Sequence, residues 1–246
     1  MGDDYHAVVR RHLRELWKSL DEAFPGVQGR TFVDTGPVLE REVAARAGLG
    51  WIGKNTLLIN RTYGSYVFLA EAITTLDLAP DLPAAAHCGT CTRCLDACPT
   101  DAFPEPHVLD SSRCISYLTI EHRGPIALAA GIGNLVYGCD ICQQVCPWNA
   151  KAPSSIDPVF QPRPERNPID LIALATMDDA GYAALTERSA MKRPKRTGLR
   201  RNATIALGNA LRVSEDPGLR RTLEELREDP DPVVRDAARQ AVDRID

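Results

Sequence analysis

Cysteines are the residues whose spacing points most directly to chemistry. All eight lie between positions 88 and 146 of the 246-residue chain. The first run, from Cys88 to Pro99, reads Cys-x2-Cys-x2-Cys-x3-Cys-Pro. This spacing is typical of proteins with two [4Fe-4S] clusters, because three close thiolates bind irons of one cubane while the fourth reaches the other. The second run, from Cys139 to Pro147, reads Cys-x2-Cys-x3-Cys-Pro.

The two runs predict two [4Fe-4S] clusters once Cys114 supplies the thiol that the second run lacks. One ligand set is Cys88, Cys91, Cys94 and Cys146. The other is Cys98, Cys114, Cys139 and Cys142. A pair of zinc sites is the alternative, but zinc sites need neither the third cysteine at the same spacing nor the Cys-Pro ending. Iron–sulfur clusters are therefore the favoured interpretation.

Composition places this chemistry inside the cell. Hydrophobic residues make up 44% of the chain and charged residues 25%, and the net charge of −4 excludes a globally basic nucleic-acid binder. The first residues, Met1 to His6, show neither the basic nor the apolar part of a signal peptide. Disulfide frameworks belong to small secreted domains. We therefore expect a cytoplasmic protein without a membrane segment.

Hydrophobic periodicity predicts a mixed region ahead of the cysteines. The expected elements are a helix over 4–23, a strand over 31–33, a helix over 38–47, and β-rich runs over 55–60 and 66–75. Together they predict an α/β unit over residues 1–83.

The rest of the chain divides by composition. The cysteine region covers 84–150, and a proline-rich connector covers 151–168. Residues 169–246 are predicted to be helical. There, Arg201-Asn202-Ala203 with Leu211 matches Arg235-Asp236-Ala237 with Ile245 at an offset of 34 positions. A repeat of this length built from helix pairs predicts a small α-solenoid of HEAT type.

Two other motifs have both a structural and a functional interpretation. Residues 48–53 satisfy G-x-G-x-x-G, but they follow a predicted helix and precede a strand, so a glycine-rich helix C-terminus is favoured over a nucleotide site. Asp34 lies where a strand gives way to a helix, and it is either a general acid or, as the residues alone favour, a turn or helix cap. The five histidines show no ligand spacing.

Positive charge concentrates before and within the first helix predicted beyond the connector. The candidate residues are Lys192, Arg193, Lys195, Arg196, Arg200 and Arg201. Such a run is either a solvated face or a contact for a phosphate backbone, and the residues alone leave both interpretations open.

The ordered combination of these motifs resembles the epoxyqueuosine reductase family, cobalamin-dependent iron–sulfur enzymes of tRNA modification. Segments 4–6, 33–40, 47–56, 138–149 and 191–209 carry the resemblance, together with the whole cysteine region. Family members have roughly a hundred further residues before the segment that corresponds to 4–6, a length that fits half of an α/β cofactor domain. The fold class implied is α+β. A partial α/β cobalamin-binding domain precedes a ferredoxin-like domain with two clusters and a HEAT-like helical region.

The resemblance also implies an activity and its residues. It implies reduction of epoxyqueuosine to queuosine at the tRNA wobble position, the last step of queuosine biosynthesis, with base-off cobalamin and an external low-potential electron donor. Asp34 aligns with the family's proton donor, for which burial beside an apolar corrin would raise the pKa. Ser116 and Asp140 are expected to contact the corrin. The basic run becomes the expected tRNA contact of a protein that we expect to be monomeric.

Two other functions remain open at this point. One is a ferredoxin-type electron-transfer protein without its own substrate site. The other is an enzyme similar to reductive dehalogenases, which carry similar cofactors but are commonly exported.

Overall fold

The computed structural model describes residues 2–127, 129–166, 168–214 and 216–244. Ile245, one partner in the 34-residue repeat, lies outside these ranges. The architecture mixes helices with short strands, as the sequence predicts. Along the described chain, no helix has the length and apolar character needed to cross a membrane.

The N-terminal region contains two helices and four strands. They are α1 (Tyr5–Ala23), β1 (Gly29–Phe32), α2 (Glu40–Arg46), β2 (Trp51–Ile52), β3 (Leu58–Ile59) and β4 (Glu71–Thr74). Helix α1 agrees with its prediction, and its N-cap Asp4 accepts a hydrogen bond from the backbone N–H of His6 at 3.0 Å. Helix α2 is shorter than predicted because Leu39 is its N-cap.

The strands depart from the α/β expectation. Strand β1 pairs antiparallel with β4, from Gly29 opposite Thr74 to Phe32 opposite Glu71, and β2 pairs antiparallel with β3. Both sheets are two-stranded and antiparallel. A short turn joins β2 to β3, in which the N–H of Thr56 bonds the carbonyl of Gly53, whereas β1 and β4 come together from distant parts of this region. In the predicted turn that follows β3, Asn60 Oδ1 accepts hydrogen bonds from the N–H groups of Thr62 and Tyr63.

The glycine-rich segment is the end of α2, as the sequence favours. Gly48 has a φ of +73°. Its N–H bonds the carbonyl of Ala45, and the N–H of Leu49 bonds the carbonyl of Ala44. This pair of bonds is a Schellman motif, in which glycine is preferred because it adopts positive φ without strain. The segment then continues directly into β2.

The cysteine region is built from short helices joined by turns. They are α3 (Arg93–Asp96), α4 (Ile115–Ile120), α5 (Ala129–Ile132) and α6 (Ile141–Gln144). Helices α3 and α6 are in contact with each other. Each of the two is soon followed by a Cys-Pro pair, so the two halves of the cysteine pattern have similar local structures.

The connector is largely irregular, with 3-10 turns at Pro158–Phe160 and Pro164–Arg166. It folds back onto the start of α1. The N–H of Asp3 bonds the carbonyl of Val159 at 2.7 Å, and Arg163 and Arg188 both pair with the Asp3 carboxylate. These contacts fix the N-terminus against the segment that leads to the C-terminal helices.

Where the structure describes it, the C-terminal region has five helices and a 3-10 turn at Ala190–Lys192. The helices are α7 (Leu171–Thr176), α8 (Asp179–Thr186), α9 (Lys195–Leu211), α10 (Pro217–Leu226) and α11 (Pro232–Val242). Helix α9 is the centre of this region, since it packs against α7, α10 and α11 on one side and against α4 and α5 on the other. Leu199, Ala203 and Leu207 of α9 are fully buried.

Candidate functional site

The first predicted ligand set surrounds one cavity. Cys88, Cys91, Cys94 and Cys146 all line a space of about 240 Å³. The indole N–H of Trp51 donates to the sulfur of Cys88 at 3.4 Å, and the ring of Trp51 packs edge-on against Trp148. Lys54 Nζ donates to the carbonyls of Gly89 and Cys91 and so holds the loop between the thiols. The structure therefore brings together four cysteines that the sequence assigns to one cluster.

The second ligand set borders a larger cleft. Cys114, Cys139 and Cys142 line it. The charge of Cys98 contributes to raising the pKa of Cys139, and its sulfur accepts the N–H of Ala102 at 3.3 Å. Burial, with the charges of neighbouring cysteines, raises the pKa of Cys142 to about 12. A thiol in such surroundings becomes a thiolate when a metal binds it.

The chemistry of these thiols suits an iron–sulfur cluster. A cubane differs from a single ion because each thiolate binds a different iron. The cavity between Cys88, Cys91, Cys94 and Cys146 provides room between the sulfurs for such a group.

The cleft joins the second cysteine set to the N-terminal region. Its volume is about 980 Å³. Ser116 and Asp140, the predicted corrin contacts, both line it. Asp140 Oδ1 accepts a hydrogen bond from Gln143 at 2.7 Å, and Gln143 in turn accepts one from Ser65. One wall comes from residues near Tyr5 and Phe68, and the opposite wall comes from α4 and the segment that precedes α9.

Asp34 lies at the edge of this cleft, in a cradle of donors. Its φ is +55°, a value that turns the chain immediately after β1. Its Oδ2 atom accepts the hydroxyl of Tyr5 at 2.8 Å and lies 3.0 Å from Nε2 of His6 and 3.2 Å from a guanidinium nitrogen of Arg193. All three partners line the cleft. The residue is thus more than a local turn or cap, since it is the meeting point of two distant segments.

The electrostatics of Asp34 differ from the expectation of a raised pKa. Burial raises the pKa of its carboxyl, but the hydrogen bonds from Tyr5 and His6 and the charge of Arg193 outweigh burial, so the pKa lies below its usual value. In this arrangement Asp34 is a carboxylate. Burial and the Asp34 carboxylate raise the pKa of Tyr5, which therefore remains a donor.

Tyr5 and His6 are site residues to which the sequence assigned no role. Their rings stack at 4.1 Å, and Tyr5 also stacks on Phe68 at 4.3 Å. His6 lies between two carboxylates, with Nδ1 at 2.7 Å from Asp4 and Nε2 at 3.0 Å from Asp34. The available signal was the sequence Asp-Tyr-His at a predicted helix start, because an N-cap and the two residues after it project from the same helix end.

The basic run divides into two groups. Lys192, Arg193 and Lys195 line the cleft, and Arg193 also pairs with Glu121 at 2.5 Å. Arg196 is partly buried and pairs with Asp179 at 2.7 Å.

Arg200 and Arg201 correct the prediction of a tRNA contact. Arg200 is 6% exposed and is paired with Asp229, while Arg201 is 0% exposed. Arg201 donates to the carbonyls of Leu118, His122 and Gly124. Helix α9 packs against α4, α5, α7, α10 and α11. Both guanidinium groups are therefore inside the fold, which they stabilise, and they cannot reach a polynucleotide.

Comparisons with known proteins agree with this geometry. Residues 87–149 match the family described as "4Fe-4S double cluster binding domain", and residues 1–35 match "Epoxyqueuosine reductase QueG, DUF1730". The epoxyqueuosine reductase of Alicycliphilus denitrificans is 46% identical over 88% of this chain and 61% of its own length. That of Synechocystis is 47% identical over 84% of this chain and 73% of its own length. The chain thus spans about three fifths to three quarters of such relatives.

Two solved structures are also similar. An epoxyqueuosine reductase with an epoxyqueuosine-modified tRNA-Tyr stem loop aligns with a TM-score of 0.87 at 36% identity, covering 99% of this chain and 64% of that one. The Bacillus subtilis enzyme, solved with an aspartate-bearing catalytic loop swung out of the active site, gives the same values. These matches confirm the resemblance that the motifs indicate and the expectation of a region that binds two [4Fe-4S] clusters.

Proposed function

The chain belongs to the epoxyqueuosine reductase family, and from this premise we propose that it is an oxidoreductase that reduces epoxyqueuosine to queuosine at the tRNA wobble position. The observation that carries the proposal is the single cleft of about 980 Å³. Its lining includes cysteines of the second set together with Tyr5, His6 and Arg193, which hold Asp34. A source of electrons and a source of protons therefore face one space.

Two [4Fe-4S] clusters form the electron path in this proposal. Cys88, Cys91, Cys94 and Cys146 would bind one cluster away from the cleft. Cys98, Cys114, Cys139 and Cys142 would bind the other, at the cleft wall. The proximity of the two sets supports the path, because the charge of Cys94 from the first set contributes to the raised pKa of Cys142 in the second. Electrons from an external low-potential donor would pass through both.

The cleft also suits base-off cobalamin. Its apolar wall, which an apolar macrocycle would cover, consists of Leu57, Phe68, Phe103, Leu109, Ile120 and Leu135. Ser116 and Asp140 would hold the polar rim of the corrin. Among the residues that the structure describes, His6 is the one histidine that lines the cleft, and both of its ring nitrogens contact carboxylates. When bound, the cofactor supplies reduced cobalt beside the substrate.

Asp34 would be the proton donor to the epoxide oxygen. Its support is its position at the cleft edge, in contact with Tyr5, His6 and Arg193, which line the cleft. The similar Bacillus subtilis structure, in which an aspartate loop has left the active site, supports a loop of this kind as part of the reaction.

The tRNA would approach beside the segment that leads into α9. Lys192, Arg193 and Lys195 line the cleft and Arg196 follows them, so cationic groups flank the entrance where phosphates would lie. Helices α7 to α11 would form a HEAT-like region that supports this surface. Residues 1–83, 84–150 and 169–246 would be the cofactor-binding, ferredoxin-like and helical domains of a cytoplasmic monomer, with 151–168 as the connector.

One experiment tests the proposal. The protein is purified anaerobically with cobalamin, its iron, sulfide and cobalt are measured, and a tRNA stem loop that carries epoxyqueuosine is added with a strong reductant. We expect about eight irons per chain, one base-off corrin, and queuosine in the stem loop. Iron without cobalt or conversion would favour the electron-transfer function. Turnover of a haloorganic compound without conversion of the stem loop would favour a dehalogenase.

A further inference from the structure

The proposed reaction consumes more protons than Asp34 carries. Converting an epoxide into an alkene breaks two C–O bonds and forms one C–C π bond with two electrons, which the external donor supplies through the clusters. The oxygen leaves as water and therefore takes up two protons. A carboxyl holds one transferable proton, so Asp34 must be reprotonated within each turnover.

The contacts of Asp34 indicate where that proton comes from. His6 Nε2 lies 3.0 Å from Asp34 Oδ2, and the other ring nitrogen lies 2.7 Å from Asp4 Oδ1. Asp4 is the N-cap of α1, where the helix terminus favours a negative charge. The three side chains form a carboxylate–imidazole–carboxylate row. The His6 side chain is 17% exposed and lines the cleft, so its ring remains within reach of water.

We propose that His6 is a proton relay that reloads Asp34, and that Asp4 orients its ring. This inference rests on the proposed function. The proton on Nε2 moves to Asp34 after Asp34 has protonated the epoxide oxygen. The Nδ1–H of His6 keeps its hydrogen bond to Asp4. The neutral ring therefore keeps the tautomer whose Nε2 accepts the next proton from solvent.

The other charged groups near the row fit this role. Arg193 contacts the same Asp34 oxygen, and Glu121 pairs with Arg193 from the end of α4. Tyr5 donates to Asp34 and stacks on His6, which fixes the plane of the imidazole. The cradle therefore holds Asp34 as a carboxylate in contact with the imidazole of His6, which is the arrangement that follows one proton delivery.

The test compares His6→Ala with His12→Ala in the full chain with clusters and cobalamin. His12 is an exposed histidine on the same helix. We expect multiple-turnover conversion of the stem loop to fall roughly 100-fold in His6→Ala. Added imidazole should restore much of it, because a diffusing acid replaces a relay but not a structural contact. Asp4→Asn, which preserves the helix cap, should cause a smaller loss, and His12→Ala none.

A second measurement does not need turnover. Infrared titration follows the protonated carboxyl band of Asp34, which is identified by its loss in Asp34→Asn. In His6→Ala the pKa of Asp34 should rise, since a donor that lowers it is removed. An unchanged Asp34 titration overturns the relay, and so does a His6→Ala loss that imidazole does not restore. If the unaltered protein converts no stem loop, the proposed function fails, and the infrared result alone then decides whether His6 and Asp34 share a proton.

Discussion

The two walls of the cleft are held in different ways. On the C-terminal wall, polar side chains of α9 bind the backbone of the cysteine region. The buried Arg201 donates to three carbonyls and the buried Asn202 donates to the carbonyls of Thr119 and Val136. Asn209, which is partly buried, donates to the carbonyls of Ala129 and Gly133. On the N-terminal wall, β1 is mostly exposed, and Asp34 is held by His6 and Arg193, whose side chains are partly exposed.

The C-terminal wall is a rigid scaffold, whereas the Asp34 loop on the N-terminal wall can change position. Buried hydrogen bonds to a charged group are costly to break, so the C-terminal wall keeps the second cysteine set in place. Contacts between exposed polar groups contribute little to stability, so the Asp34 loop can change position at small cost. The following predictions test this contrast, starting with the largest expected effect.

Asp34→Asn should abolish most activity and leave the fold intact. We expect conversion of the stem loop to fall by about 100- to 10,000-fold, because an amide cannot donate a carboxyl proton to the substrate oxygen. The free energy of unfolding should change by less than about 1 kcal/mol, since the side chain is partly exposed. Rate measurements with parallel thermal unfolding check both statements. A large loss of stability would instead assign Asp34 to the scaffold.

Arg201→Met, in contrast to Asp34→Asn, should lower the free energy of unfolding substantially. It leaves buried carbonyls of Leu118, His122 and Gly124 without their donor, at a cost of about 3 kcal/mol or more in the free energy of unfolding. Arg212→Met, at the exposed end of α9, is the matched control and should change it by less than about 0.5 kcal/mol. Denaturant titration of both variants gives the comparison. Equal small effects would mean that the C-terminal wall is no more rigid than the other.

The sequence predicted local features of both walls better than it predicted the contacts that hold each wall together. Cysteine spacing predicts a first ligand set whose four members line one cavity. The helix over 4–23 and the turn at Gly48 follow from apolar periodicity and from glycines placed after a predicted helix. The burial of Arg201 was not predictable, since a run of basic residues does not show that helix α9 is covered on all sides. The contacts around Asp34 were also not predictable from the sequence. They bring Tyr5 and His6 together with Arg193, which lies 159 positions from Asp34.

Lys192→Ala should weaken tRNA binding moderately and uniformly. Lys192 is exposed beside the cleft, and loss of one phosphate contact should lower affinity by about 1 kcal/mol and reduce the slope of log affinity against log salt by about 1. Lys18→Ala is the control, because Lys18 is 80% exposed on α1 and pairs only weakly, with Glu22 at 3.8 Å. Binding of the stem loop at several salt concentrations measures both. Identical slopes for the two variants would show that Lys192 does not contact a tRNA phosphate.

Glu71→Gln tests how the stability of the N-terminal wall depends on pH. Glu40 accepts the N–H of Asp34. Burial, with the charge of Glu40 and a hydrogen bond to it, raises the pKa of Glu71 to about 7. A carboxyl whose pKa is higher in the folded state favours folding below its unfolded pKa, and that stabilisation is lost as the pH rises through 7. The variant should therefore match the unaltered protein near pH 4 and be more stable above pH 8.

The gain at high pH should be roughly 1 kcal/mol, because solvent screens a side chain that is only partly buried. Unfolding measured from pH 4 to 9 provides the curve, and Glu15→Gln, which alters an exposed carboxyl of α1, should show no such divergence. If the variant holds the Asp34 loop more firmly at pH 8, its turnover should depend less on pH there. A gain equal at all pH values would show that repulsion between Glu40 and Glu71 does not loosen this wall.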